Sequence, residues 1–264
     1  NFLDFQYFQQ DNIAYNTRNG PGRFGVAGFL IGLLLGFHLC LLVCNLIYDP
    51  SFPVVIWCLY FTSLAGFHFG EFFVTSIFNP WSLSYDAFII NHSKEYTVAA
   101  IASWIEFWVE RFTFPGLKLA GFQLGAGGGG GDGGGEATWW MYGACILSGL
   151  GLVLVLVGQA CRSGAMWTAG SNFNHVIATK KEKEHQLVTH GLYRYLRHPS
   201  YFGWFWWSIG LQVLLLNPVC TLAYAAASWR FFSRRIPFEE GQLEKFFPDY
   251  PAYKRRTIIG IPFI

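Results

Sequence analysis

Three histidines, two arginines and three tyrosines crowd one short segment of this chain, His185, His190, His198, Arg194, Arg197, Tyr193, Tyr195 and Tyr201. A second cluster follows, with Arg230, Arg234 and Arg235 leading into Glu239 and Glu240. Arg235 and Glu239 stand four residues apart and share a face if one helix carries both, although Pro237 between them can break that register. An arginine and an acid converging beside a histidine and tyrosine loop can hold a ligand that bears both an anion and an amine. Two plainer readings stay open. Tyrosine and tryptophan gather at lipid headgroup depth, where arginine binds phosphate, and an i,i+4 pair can be a surface ion pair with no further role.

Other polar residues interrupt apolar sequence, notably His68 with Glu71 and the run Asn91-His-Ser-Lys-Glu95. Ionisable groups inside apolar helices are candidates for function, yet both groups lie near the ends of their segments, which favours packing or interfacial roles. Asn91-His-Ser93 is also an N-glycosylation sequon, expected on the cytoplasmic side and therefore unused. The six cysteines form no CxxC pair and mostly fall inside apolar runs, so neither a zinc site nor a disulfide framework is indicated. Residues 125–135 read GAGGGGGDGGG and formally contain GxGxxG. A dinucleotide fingerprint needs a strand before it and a helix N-terminus after it, so the tract reads as a linker.

The elements that must position these residues are membrane helices. Of the 264 residues 53% are hydrophobic, 19% aromatic and 13% charged, against about 25% charged in soluble domains, and the mean hydropathy is +0.31. Secreted, fibrous and disordered classes are excluded. Residues 24–48 carry no Asp, Glu, Lys or Arg, enough for a helix of roughly 37 Å. Residues 53–78 hold one acid, Glu71, and stop at Asn79-Pro80. Residues 86–111 are more amphipathic and suit a third span packed on protein. Residues 137–161 again lack charge, and residues 198–229 are uncharged but split at Asn217-Pro218, which predicts a tight hairpin of two short arms. The fold class expected is an all-α integral membrane protein, a multi-span helical bundle with a C-terminal helical hairpin.

Most of the 18 Lys and Arg lie between Lys180 and Arg197 or between Arg230 and Arg256. Such clusters beside apolar segments read as cytoplasmic anchors, and a nucleic-acid partner is disfavoured. Placing loop 162–197 in the cytoplasm puts loop 113–136 outside and Arg18 and Arg23 inside. The expected organisation is a cytoplasmic segment 1–23, membrane helices 1–3 over 24–113, a Gly-rich non-cytoplasmic loop 114–136, and membrane helices 4–6 with the chemical region over 137–264. Because the chain opens on Asn, the reading allows for residues upstream, including a further helix pair.

Several ordered motifs are specific: Ala169-Gly-Ser-Asn-Phe-Asn-His-Val176, Leu187-Val-Thr-His-Gly-Leu-Tyr193, Arg197-His-Pro-Ser-Tyr-Phe-Gly-Trp204, Asn217-Pro218, Glu239-Glu240, Tyr250 and Tyr253-Lys-Arg-Arg256. Through them, and through residues 91–100, the chain resembles animal members of the isoprenylcysteine carboxyl methyltransferase family over roughly residues 25–264. The resemblance implies cytoplasmic cofactor-binding segments for S-adenosyl-L-methionine, released as S-adenosyl-L-homocysteine, in a multi-pass protein of the endoplasmic reticulum membrane with its active site facing the cytoplasm. It implies prenylated CaaX proteins such as small GTPases as partners, alongside the lipid bilayer, with no nucleic acid and no metal. Carried over by position, His185, Gln186, Leu187, Val188, Tyr193, His198, Pro199, Ser200 and Tyr201 surround the cofactor. Glu239 is the acidic cofactor contact, and Arg235 meets the substrate; these two are the catalytic candidates.

The chemistry so implied is methyl transfer from a sulfonium to a carboxylate already ionised at neutral pH, which needs alignment and removal of water rather than a base. Two rivals stand beside it. A membrane sterol reductase using NADPH would share Arg-His-Pro, but no second arginine-rich site suits a 2′-phosphate. A non-enzymatic lipid-binding or transport protein would explain the helices without chemistry.

Overall fold

The computed structural model describes residues 20–48, 50–90, 94–118, 136–181, 183 and 185–264. The glycine tract, the sequon at 91–93 and most of the N-terminal segment lie outside the described residues. Seven α-helices are described: α1 Pro21–Tyr48, α2 Phe52–Phe78, α3 Lys94–Thr113, α4 Glu136–Ala169, α5 Pro199–Leu214, α6 Pro218–Phe246 and α7 Tyr250–Arg256. Short 3₁₀ turns join them at Pro80–Ser82, Tyr85–Phe88, Gly170–Asn172 and Gly191–Arg194. The protein is an all-α membrane bundle.

Among the described residues, three helices are long and apolar enough to cross a membrane: α1, α2 and a stretch beginning at Trp139 that comprises most of α4. The others depart from that pattern for identifiable reasons. Helix α3 carries Lys94, Glu95, Glu106, Glu110 and Arg111. Helix α5 has 16 residues, roughly 24 Å of rise. Helix α6 is apolar only as far as Trp229 and then continues as a polar helix to Phe246, through an exposed Pro237.

Helices α4 and α5 pack antiparallel at backbone distance, and glycine makes this possible. A Cβ on Gly158 would sit 2.6 Å from the Gly203 carbonyl oxygen, and one on Gly203 would sit 2.6 Å from the Gly158 oxygen. Seven residues away on each helix, a Cβ on Gly151 would meet the Leu214 backbone at 2.3 Å, and one on Gly210 would meet Leu154 Cβ at 2.8 Å. Small residues in register permit the close approach by which helices associate in lipid. The consequence for the site is that Ser200 and Trp204 on α5 are held against Arg162 on α4.

Glu106 and Glu110 of α3, with Lys118 beyond its C-terminus, serve the hairpin tip. Lys118, fully buried, donates to the carbonyls of Leu215 and Leu216 at 2.9 and 2.7 Å and to Asn217 Oδ1 at 2.8 Å, while pairing with Glu110 at 2.7 Å. A cation thus sits on the C-terminal carbonyls of α5. Glu106 accepts from the backbone N–H groups of Val219 and Cys220 at 2.7 Å each, an anion at the N-terminus of α6. Both placements complement the helix dipoles and satisfy backbone groups that the chain reversal leaves unpaired.

Candidate active site

At the opposite end of the hairpin, the start of α5 and the polar half of α6 line a cleft together with the loop after α4 and with α7. Its wall is built from Gln186, Leu187, Val188 and Tyr193 in the loop, His198, Pro199, Ser200, Tyr201 and Trp204 at the start of α5, and Phe231, Arg235, Glu239, Leu243 and Phe247 from α6 onward. Arg162, Asn172, His175, Arg197, Tyr250 and Tyr253 also line it. Every site residue that the family resemblance implies therefore lines one cleft except His185, which lies beside Gln186, half-buried, without forming part of the wall, while His190, Arg194, Tyr195, Arg230, Arg234 and Glu240 of the two clusters lie outside the wall.

Helix α6 continues through Pro237, and so Arg235 and Glu239 face the same way. They are joined through a third group. Arg235 Nε donates to the Tyr201 hydroxyl at 2.8 Å, and that hydroxyl donates to Glu239 Oε2 at 2.5 Å. Arg235 Nη2 also donates to the His175 carbonyl at 2.8 Å, and its guanidinium lies over the rings of Tyr201 and Phe231 at 5.5 and 5.6 Å. The arginine and the acid thus keep a fixed separation with a phenol between them.

The neighbouring acid has a different task. One residue along a helix turns a side chain by about 100°, and Glu240 points away into a buried ion cluster. Its Oε1 accepts from Arg197 Nε at 2.6 Å and His198 Nε2 at 3.2 Å, and its Oε2 pairs with Lys254 at 2.6 Å. Arg197 continues to the Thr257 carbonyl at 2.8 Å. The cluster ties α6, the N-terminus of α5 and α7 into one unit, helped by Tyr253, which donates to the Tyr193 carbonyl at 2.7 Å. His198, which the resemblance places at the cofactor, lines the cleft and directs Nε2 to Glu240.

Burial would raise the Glu240 carboxyl, but hydrogen bonds from His198, Lys254 and Arg197 outweigh it and hold the group down to about 2. A folded-state value below the unfolded one contributes stability that is present in full above about pH 4.5 and lost as pH falls toward the folded value. Thermal unfolding across pH 5 to 2 is therefore expected to show a steeper acid loss in the parent than in Glu240→Gln. Parallel curves would contradict this assignment.

Sequence reasoning missed the ion pair beneath the cleft. Arg162, 3% exposed, donates from Nε and Nη2 to the two oxygens of Glu71, 1% exposed, at 2.5 and 2.8 Å. Its Nη1 reaches Ser200 Oγ at 2.9 Å, while His175 Nε2 meets Glu71 Oε2 at 3.0 Å. One bidentate pair thus connects α2, α4, α5 and the loop after α4. The signal was present: Glu71 is the single acid in the apolar α2, and Arg162 directly follows the charge-free stretch of α4. Two lone opposite charges in adjacent membrane helices are expected to find each other.

The fold and the cleft together define a helical integral membrane protein with a polar, aromatic-walled site where its C-terminal hairpin opens. The chain belongs to the isoprenylcysteine carboxyl methyltransferase family. The family model matches residues 150–245. The chain is similar to protein-S-isoprenylcysteine O-methyltransferases of Tribolium castaneum, 40% identical over 260 residues covering 98% of this chain and 83% of that protein, and of Saccharomyces cerevisiae, 36% identical over 262 residues covering 98% and 99%. The Xenopus laevis protein is 48% identical over 206 residues, and this match takes in 78% of the chain but just under two thirds, 63%, of the frog protein. A solved structure of a eukaryotic intramembrane Ras methyltransferase of the same family superposes with a TM-score of 0.72 at 42% identity, covering 87% of this chain and 74% of that one.

Proposed function

We propose that the protein transfers a methyl group from S-adenosyl-L-methionine to the C-terminal carboxylate of a prenylated cysteine, acting on CaaX-processed proteins such as small GTPases. The reading places it in the endoplasmic reticulum membrane with the cleft facing the cytoplasm. The observation that carries it is the Arg235–Tyr201–Glu239 arrangement, which presents a cation and an anion at fixed separation in one aromatic-walled cleft.

The residues present suit the donor. Glu239 offers a carboxylate to an ammonium, Leu187 and Val188 offer aliphatic surface, and Tyr193, Trp204 and Phe247 offer ring faces to a flat base or a sulfonium. When bound, S-adenosyl-L-methionine supplies an electrophilic methyl group. Arg235 binds and orients the acceptor carboxylate through its fork of donors. Trp204 and Phe231 give the cleft an apolar side toward the membrane hairpin, suited to a hydrocarbon chain and to excluding water from the carboxylate. The acceptor is ionised near neutral pH, so no residue needs to remove a proton.

Glu239→Gln is expected to weaken binding of S-adenosyl-L-homocysteine, since a charge-assisted hydrogen bond of about 1.5–3 kcal/mol is lost. Calorimetry on detergent-solubilised protein measures it. Unchanged affinity would remove Glu239 from the cofactor site.

A further inference from the structure

Among the described residues, a few buried side-chain atoms have no hydrogen-bond partner, including Thr62 Oγ1, Gln159 Oε1, Trp207 Nε1, Gln212 Nε2 and the Tyr250 hydroxyl. Of these, Tyr250 alone belongs to a residue that lines the cleft. The side chain is 1% exposed and sits at the N-terminus of α7, packed beside Tyr253. A phenol oxygen buried without a partner costs free energy that the fold must supply. Neither acid nearby satisfies it: Glu240 turns its oxygens to Arg197, His198 and Lys254, Glu239 bonds Tyr201, and neither makes a hydrogen bond with the Tyr250 hydroxyl.

Burial first, and then the nearby charge of Glu240, push the Tyr250 phenol well above its ordinary range. Glu239 acts in the same direction. The group is therefore a protonated donor at neutral pH, placed within electrostatic reach of the acid that the proposed function assigns to the ammonium of the methyl donor.

We infer that the Tyr250 hydroxyl is a ligand-binding donor, held unpaired in the free protein to accept the α-carboxylate of the methyl donor's amino-acid end while Glu239 takes its ammonium. This rests on the function proposed above. The amino-acid end carries both charges on one carbon, so an acid and a phenolic donor on adjoining walls of the cleft form a complementary pair for it. Arg235 remains available to the acceptor carboxylate on the far side of Tyr201.

The test is a cycle of two ligands and two proteins, read by calorimetry and by thermal unfolding. S-adenosyl-L-homocysteine and its decarboxylated analogue are titrated into the parent and Tyr250→Phe. The hydroxyl has no partner to lose in the free protein, so the variant is expected to unfold at the parent temperature or above it. It should bind S-adenosyl-L-homocysteine about tenfold more weakly or worse. The decarboxylated analogue, lacking the acceptor, should bind the two proteins equally, which makes the two deletions non-additive. Equal affinity of both proteins for S-adenosyl-L-homocysteine, an equal loss with both ligands, or a lower unfolding temperature in the variant would overturn the assignment alone. A parent that binds neither ligand would overturn it together with the function on which it rests.

Discussion

Arg235→Ala is expected to lower methyl transfer by about 10²-fold or more while leaving the affinity for S-adenosyl-L-homocysteine within a few fold of the parent. The magnitude follows from the loss of orientation of the acceptor, since misplacing a reacting group by an ångström removes a factor of that order. The split follows from geometry. Arg235 reaches Glu239 only through Tyr201, and its other donor holds the His175 carbonyl, so its removal leaves the acid in place on α6. Arg235→Lys is expected to rescue little, because a single ammonium cannot reproduce the fork that binds a carboxylate through two parallel hydrogen bonds. Single-turnover assays beside calorimetry separate the two effects. A loss of cofactor affinity as severe as the loss of activity would show that Arg235 belongs to the donor site instead.

Glu71→Gln is expected to be the most destabilising conservative change in the chain. It leaves the Arg162 guanidinium buried without its counter-charge, a situation that costs about 3–5 kcal/mol. Arg162, 3% exposed, also lies over the rings of Trp204 and Phe67, at 5.3 and 5.7 Å. The double replacement Glu71→Met with Arg162→Met is expected to recover most of the unfolding temperature, as apolar pairs replace buried ion pairs at little cost. It should not recover activity, because Ser200 and His175 lose the group that fixes them under the cleft. Thermal unfolding in detergent, followed by size-exclusion chromatography, reads both variants. Parent-like melting of Glu71→Gln would show that the pair is not what joins these helices.

Much of this architecture could be read from sequence because charge is so unevenly distributed. Charge-free runs locate α1 and α4, Asn79-Pro80 closes α2, and Asn217-Pro218 marks the reversal between α5 and α6. The cleft was legible for a different reason, since the motifs that resemble the family occur in chain order and, apart from residues 91–100 and Asn217-Pro218, each contributes side chains to its wall. What the sequence hid was connectivity at a distance. Glu239 and Glu240 look interchangeable as a dipeptide, and only the turn of α6 separates the residue that faces the cleft from the one buried with Arg197 and Lys254. His198, which the resemblance places at the cofactor, lines the cleft and also turns a ring nitrogen to Glu240, a contact that its motif does not announce. The acids of α3 make that helix look amphipathic, while the use of Glu106 on the hairpin tip depends on contacts with residues 113 and 114 positions away. Paired glycines at seven-residue spacing on α4 and α5 were visible as letters, but spacing alone does not say which two helices meet.

The most direct test of the central claim is transfer of a labelled methyl group from S-adenosyl-L-methionine to a farnesylated cysteine analogue, catalysed by the purified protein in detergent or liposomes. The account predicts incorporation as a base-labile carboxyl ester on the prenylated compound, with none on the same cysteine lacking its isoprenoid and none in the Arg235→Ala variant. Well-folded parent protein that binds S-adenosyl-L-homocysteine yet methylates neither compound would contradict it.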